Sequence, residues 1–197
     1  MDTFENILAT ANQGKLTEAA NWLQTLSAKT MITPQRLINA DKTRLTNIPF
    51  VGRMYLFNYD PKYKKELPYY DKFPLIFPFL SAKTNGLAKQ GPGFYGINLH
   101  YLPLRLRAKL MDALFDTVTN NKLDETTRLK ISFNILDRSS KMRYFKPCVK
   151  HYLISHMRSK FFTINADEWT TALVLPLQRF TKAPESRIYK ESITRII

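Results

Sequence analysis

One cysteine, Cys148, occurs among 197 residues, so an internal disulfide and a zinc site built from cysteines alone are excluded. The count suits a reducing compartment or a particle assembled in one. No apolar run approaches the roughly 20 residues of a membrane-spanning helix. The opening residues MDTFENIL lack the positive and apolar regions of a signal peptide. These absences predict a soluble, unexported protein without a membrane partner. Acidic residues are missing where basic ones crowd. None falls between Asp137 and Asp167, a stretch that holds Arg138, Lys141, Arg143, Lys146, Lys150, Arg158 and Lys160.

The net charge is +14, and its distribution says more than its sum. Residues 1–50, 51–100, 101–160 and 161–197 contribute +1, +4, +8 and +1, so more than half of the excess sits in one third of the chain. A field of one sign attracts a polyanion. Nucleic acid and an acidic protein surface both answer that description, and a solvated basic face is the plainer alternative.

Aromatics are concentrated too. Twelve of the 23 Phe and Tyr residues lie between Phe50 and Tyr95, which marks residues 50–101 as an aromatic-walled β-unit. Met54 to Tyr59 reads as a strand buried on both sides, ended by Asp60-Pro61. Lys62 to Glu66 is polar enough for a loop tip. Tyr69, Tyr70 and Phe73 continue an extended path. Pro74 and Pro78 around Leu75, Ile76 and Phe77 fit an edge or bulged strand. Gly93 to Tyr101 supplies a third strand after the polar connection 81–93.

The flanks read as helical. An apolar stripe of Phe4, Ile7, Leu8, Leu16, Leu23 and Leu26 recurs at helical spacing, giving a helical N-terminal arm over 1–45 whose stripe is expected to face a partner. Thr33-Pro34 is a cap followed by proline at the first helical position, and 40–48 reads as a linker. After Pro103, the residues Leu104, Ala108, Met111, Phe115 and Val118 predict an amphipathic helix. Asp124 caps a second, striped by Leu129, Phe133 and Leu136 with Ile131 and Ile135 beside them. Pro147 is expected to start a third through Val149, Tyr152, Leu153, His156 and Met157. Leu177 to Phe180 reads as a strand, and a basic helix follows Pro184. The prediction is an α+β fold: a small proline-bent antiparallel sheet packed with a bundle of amphipathic helices. Residues 46–197 form its domain, made of the β-unit and a basic helical part over 102–197.

Candidate chemistry is sparse. Cys148 and His151 have a spacing that can hold zinc, with His156 nearby, yet a fourth ligand is missing and ordinary helix residues explain them. Cys148 as a nucleophile would need an oxyanion motif that is not evident. Asp60, Glu66 and Asp71 share a loop region with Lys62, Lys64 and Lys65, which is the composition of a magnesium-dependent nuclease. Turn chemistry accounts for the same residues. GPGFYG lacks the Walker spacing and its lysine. No catalytic residue, metal, cofactor or small-molecule substrate is expected.

The runs GRMYLFNYDPKYKKELPYYDKFPLIFPF, GFYGINLHYLPLRLRAKLMDAL, DETTRLKISFNIL, YFKPCVKHYLISHMRSKF and DEWTTALVLPLQRF, over roughly residues 50–182, resemble a protein of T-even-like contractile-tailed phages labelled DNA end protector. The first 45 residues match least well. The resemblance implies a non-enzymatic virion protein, present in the host cytoplasm during assembly. Its role would lie at the packaged genome's terminus or the head-to-tail passage. Two readings follow. In one, the seven cations from Arg138 to Lys160 meet phosphates of double-stranded DNA, while Tyr63, Tyr69 and Tyr70 stack on an exposed terminal base. In the other, the protein is a structural component of the neck, tail or baseplate whose basic face meets other virion proteins.

Overall fold

The computed structural model describes Phe4, Asn6 and residues 33–81, 92–175 and 177–194. Thr33 caps helix α1 (Pro34–Ala40), its hydroxyl accepting the Arg36 N–H at 3.2 Å. The stretch expected as a linker is ordered structure. A 3-10 turn over Lys42–Arg44 leads into strand β1 (Leu45–Thr46), which pairs with β7 (Phe161–Ile164). Arg44 donates to the Glu168 carboxylate and to the carbonyl of Thr163. Ile38 is buried, so residues 33–46 pack into the body of the protein.

The sheet is larger than the three strands that the aromatic unit suggested. It has six antiparallel strands in the order β1-β7-β2-β4-β5-β6, where β2 is Met54–Leu56, β4 Leu75–Ser81, β5 Gly93–Asn98 and β6 Val149–Leu153. A separate pair is formed by β3 (Tyr70–Asp71) and β8 (Phe180–Thr181). Pro78 sits in an internal strand, not at an edge. The register between β4 and β5 shifts between Pro78 and Leu80, and a bulge is where a residue without an N–H can be tolerated inside a sheet.

Both faces of the sheet are covered, as the near-continuous apolar run through Met54–Phe57 requires. Alternation sends Met54, Leu56, Leu75, Phe77, Ile97, Phe162 and Ile164 to the core shared with the helices. Tyr55, Phe57, Tyr59, Ile76, Phe94, Tyr152 and Phe161 form a second, aromatic cluster. Within it Phe57 meets Phe161 at 5.1 Å and Tyr152 at 5.3 Å in edge-to-face geometry, an arrangement that adds to simple burial.

Helices α2 (Leu104–Val118) and α3 (Glu125–Lys141) arise as the spacing predicts, with Asp124 accepting the Thr127 N–H at 2.9 Å. The buried face of α3 differs from the predicted stripe. Ser132, Leu136 and Ser139 are buried, while Leu129, Ile131, Phe133 and Ile135 are only half-buried. A turn at Gly52 presses against this face. Gly52 has φ +79°, and a Cβ there would lie 2.6 Å from the Ser132 hydroxyl, so both positions need small residues. Two short helices follow, α4 (Trp169–Val174) and α5 (Glu185–Thr194). The latter carries Glu185 and Glu191 against Arg187 and Lys190, so its described length is balanced in charge, and Arg195 of the expected basic helix lies outside the described residues.

The third predicted helix does not form. After a 3-10 turn at Lys146–Cys148, residues 149–153 are strand β6, and a second 3-10 turn covers Ile154–His156. Apolar residues three and four apart allowed a helix, but a run of Val, His, Tyr and Leu also suits a strand, and pairing with β5 decides between them. The basic part of the chain is therefore mixed helix and strand.

Phe4, predicted to face a partner, belongs to the protein's own core. It is 1% exposed, meets Phe115 edge-to-face at 5.3 Å, and its N–H donates to the Asp112 carboxylate at 2.8 Å. Ile7, Leu8, Leu16, Leu23 and Leu26 lie outside the described residues. Phe4→Ala should lower unfolding free energy by about 3 kcal/mol in a denaturant titration. An unchanged midpoint would place Phe4 on a surface instead.

Candidate nucleic-acid interface

Between Tyr59 and Asp71 the chain leaves the sheet and returns. The intervening loop is held at both ends. Asp60 bonds Lys64 at 2.9 Å and Arg158 at 3.2 Å, and the Asp60 N–H donates to the His156 carbonyl at 3.0 Å. At the far side the Lys182 ammonium donates to the carbonyls of Lys65 and Leu67 at 2.8 and 2.9 Å. Lys182 has φ 73°, an uncommon conformation for a residue with a side chain. Turn hydrogen bonds from Lys64 to Pro61 and from Glu66 and Leu67 to Tyr63 complete a folded loop.

This loop stands opposite β6, and a cleft of about 270 Å³ lies between them. Lys62, Tyr63, Leu67, Tyr69 and Tyr70 line one wall, and all five residues of β6 line the other. Asp71, Asn98 and Tyr101, all buried, complete its lining. Lys150 holds its ammonium 4.1 Å from the centre of the Tyr101 ring, and Lys62 holds its own 5.3 Å from that of Tyr63. The cations are thereby set on aromatic faces, a favourable contact.

Asp71 anchors the cleft. Its carboxylate accepts the N–H groups of Phe73 at 3.0 Å and Arg179 at 3.1 Å, and its other oxygen lies 2.6 Å from His100 Nδ1. Asn98 Nδ2 reaches the same oxygen at 3.5 Å and donates to the Tyr152 hydroxyl at 3.1 Å. Burial pushes the Asp71 carboxyl up, but His100 and the hydrogen bonds from His100, Arg179 and Phe73 outweigh it and leave the pKa below the ordinary carboxylate value. Burial lowers the His100 pKa, and Asp71 only partly opposes this. Near neutral pH the two directions correspond to a carboxylate beside a neutral imidazole whose Nδ1–H donates to Asp71, the charge of His100 acting on Asp71 only in acid, where the ring is protonated. Arg107, also buried, donates to the carbonyls of Leu102 and His100 and to the Tyr189 hydroxyl, which ties α5 to the same network.

Of the residues singled out in the sequence, Tyr63, Tyr69, Tyr70 and Lys150 are brought together in the cleft. Arg158 pairs with Asp60 at the base of the loop. Lys160 is exposed just before β7. Arg138 and Lys141 end α3, with Lys141 bonded to Asp137 at 2.6 Å, and exposed Arg143 and Lys146 follow on the way to β6. Lys62 and Lys182 were missed as binding or shaping residues. The KYKK run pointed to the first. Nothing local signals the second, which acts on a loop over a hundred residues away.

The chain matches the family described as phage T4 terminal DNA protecting protein over residues 12–192. It belongs to that family. The match reaches well into the first 45 residues, beyond the span that carried the resemblance in the sequence. Neither a curated protein nor a solved structure matches the chain.

In this member of the phage terminal DNA protecting family, the other candidate chemistries are separated in space. Cys148 is fully buried, and burial pushes its thiol up to about 12, which removes it as a thiolate nucleophile near neutral pH. The His151 ring stacks on Tyr95 at 4.7 Å, and His156 Nδ1 lies 2.9 Å from the Asp60 carbonyl oxygen. Asp60 is engaged with Lys64 and Arg158, Glu66 is exposed, and Asp71 is buried against His100. Among the described residues no three His, Cys, Asp or Glu side chains gather as metal ligands. No helix among them is long and apolar enough to cross a membrane.

The lowered His100 pKa carries a pH dependence. The unfolded chain protonates this group first, near its ordinary 6.5, so it binds more protons than the native state as pH falls below that value and stability declines. His151, lowered by burial, acts in the same direction. Asp71 adds loss of the same sign only in stronger acid, below its unfolded value of about 3.9. The melting temperature should therefore be lower at pH 5 than at pH 7.5, with a shallower slope in His100→Gln. Asp71→Ala should cost about 3 kcal/mol or more at pH 7.5, read by chemical denaturation. A flat profile between pH 7.5 and 5 would contradict the assigned pair.

Proposed function

We propose that this protein covers the end of linear phage DNA, a non-enzymatic role in the virion and in the assembling particle in the host cytoplasm. The family description names DNA terminus protection, and one observation in this chain supports it most. The cleft gathers Tyr63, Tyr69 and Tyr70 with Lys62 and Lys150 among its lining residues. Aromatic faces stack on any base, and cations at the same mouth meet the phosphates that accompany it. Arg138, Lys141, Arg143, Lys146, Arg158 and Lys160 extend the positive field over adjoining turns, and such a field attracts duplex without reading sequence.

A second reading is supported by large apolar side chains in solvent. Met142 and Tyr144 stand between Lys141 and Lys146 and are each 53% exposed, and Ile154, after β6, is 52% exposed. A surface that mixes such groups with cations suits contact with other virion proteins, as in a neck, tail or baseplate component.

The two readings part on salt and on DNA ends. DNA binding through six to ten phosphates should weaken by about 10³-fold or more between 50 and 200 mM salt. Replacing Arg138, Lys141, Arg143 and Lys146 together by Gln should lower affinity for all sequences alike and flatten that slope in a fluorescence-anisotropy titration. Linear duplex should bind more tightly than closed circular DNA of the same length, and the bound protein should slow exonuclease digestion from the end. Equal affinity for the two forms, with no slowing of the exonuclease, would leave the protein-contact reading.

A further inference from the structure

We propose that the cleft receives one unpaired nucleotide from the DNA end and that the open backbone edge of β6 holds its base. The proposal rests on the end-binding reading and narrows its ligand. Among the described residues β6 is the last strand of the sheet and pairs with β5 on one side only. In an antiparallel ladder alternate residues turn both N–H and C=O toward the neighbour, and the others turn them away. The Ile154 N–H donates to the Pro92 carbonyl at 3.0 Å, continuing the β5 pairing. Tyr152 and Lys150 therefore also face β5, while Leu153, His151 and Val149 face outward.

Two of the three outward N–H groups are taken. Leu153 N–H donates to the Tyr59 hydroxyl at 3.1 Å, and Val149 N–H closes the 3-10 turn on the Lys146 carbonyl. Between them, His151 turns its N–H and C=O to the cleft while its imidazole stays on the Tyr95 ring. A donor and an acceptor side by side complement the Watson–Crick edge of each of the four bases, because every one carries an adjacent donor and acceptor there. In a base pair those atoms are occupied. The His151 backbone thus selects an unpaired base and is indifferent to its identity. The cleft of about 270 Å³ offers space on the scale of one base. Tyr63, 44% exposed, stands at the wall beside Lys62, placed to stack on the base while Lys62 and Lys150 meet its phosphate.

The test uses the full chain and short duplexes closed at one end by a hairpin. The other end is blunt, carries a single-nucleotide 5′ or 3′ overhang, or is also hairpin-closed; the overhanging base is 2-aminopurine in a parallel set. At least one overhang should bind ten-fold or more tighter than the blunt end, with quenching of the 2-aminopurine fluorescence. The four natural overhang bases should agree within a few-fold. Tyr63→Ala, at an exposed position, should abolish the quenching and the overhang advantage while leaving salt-dependent binding to the fully closed duplex. If blunt and overhanging ends bind equally, without quenching, yet both exceed the closed duplex, the unpaired-nucleotide proposal is overturned and end binding stands. If no open end exceeds the closed duplex, both fall. Full quenching retained in Tyr63→Ala would remove this cleft as the location.

Discussion

A buried carboxylate is costly unless it is paired and hydrogen-bonded, and the fold answers that requirement at Asp71 with one local group and groups from two distant stretches. The N–H of Phe73 is local, the His100 imidazole and Asn98 amide come from the end of β5, and the Arg179 N–H comes from the approach to β8. Each tie fixes a different wall. The pairing of β3 with β8 keeps Tyr70 against the C-terminal segment. Tyr69 and Tyr70 immediately precede the anchored residue, so their positions opposite β6 follow from satisfying one charge. Through His100 the carbonyl partner of Arg107 and the α5 helix join the same arrangement.

The high positive charge is only partly answered within the chain. Lys141 and Arg158 have carboxylate partners, and Lys64 shares Asp60 with Arg158. Exposed pairs of this kind contribute little to stability, but they fix where the cations stand. Around the loop they do something more. Asp60 draws Lys64 and Arg158 to one end and Lys182 grips carbonyls at the other, so the loop carrying Tyr63 is braced before any ligand arrives. A braced wall loses less conformational entropy on binding than a free one.

Much of the local structure could be read from the sequence because its causes are local. Thr33-Pro34 and Asp124 cap helices as written, and the spacing from Ala108 through Met111 to Phe115 gives α2. The failures are tertiary. Residues 149–153 satisfy a helical and an extended pattern equally, and only the neighbouring β5 selects the strand. Pro78 is compatible with an edge or a bulge, and only the order of the strands selects the bulge inside the sheet. Phe4 has the pattern of an exposed stripe, but a pocket formed by Phe115 and Trp169 takes it. The tyrosines and Lys150 were identifiable by type, whereas their convergence was not: the opposing walls lie about eighty residues apart, and the open edge of β6 is a property of sheet order alone.

Unpaired edge strands invite pairing with another chain, and proteins usually blunt them. Here the blunting is selective. The Tyr59 hydroxyl occupies the Leu153 N–H, and the turn before the strand occupies that of Val149, so among the described residues of this edge only His151 keeps both donor and acceptor open. One residue is too short to seed a β-ladder, which argues against an added peptide strand as the occupant. It is long enough for the edge of a base. A protector of DNA ends must also accept whatever base lies there, and side-chain readers would impose a preference that backbone groups and tyrosine faces do not. The features that make this edge poor for protein association are therefore those that fit it to a terminus of arbitrary sequence.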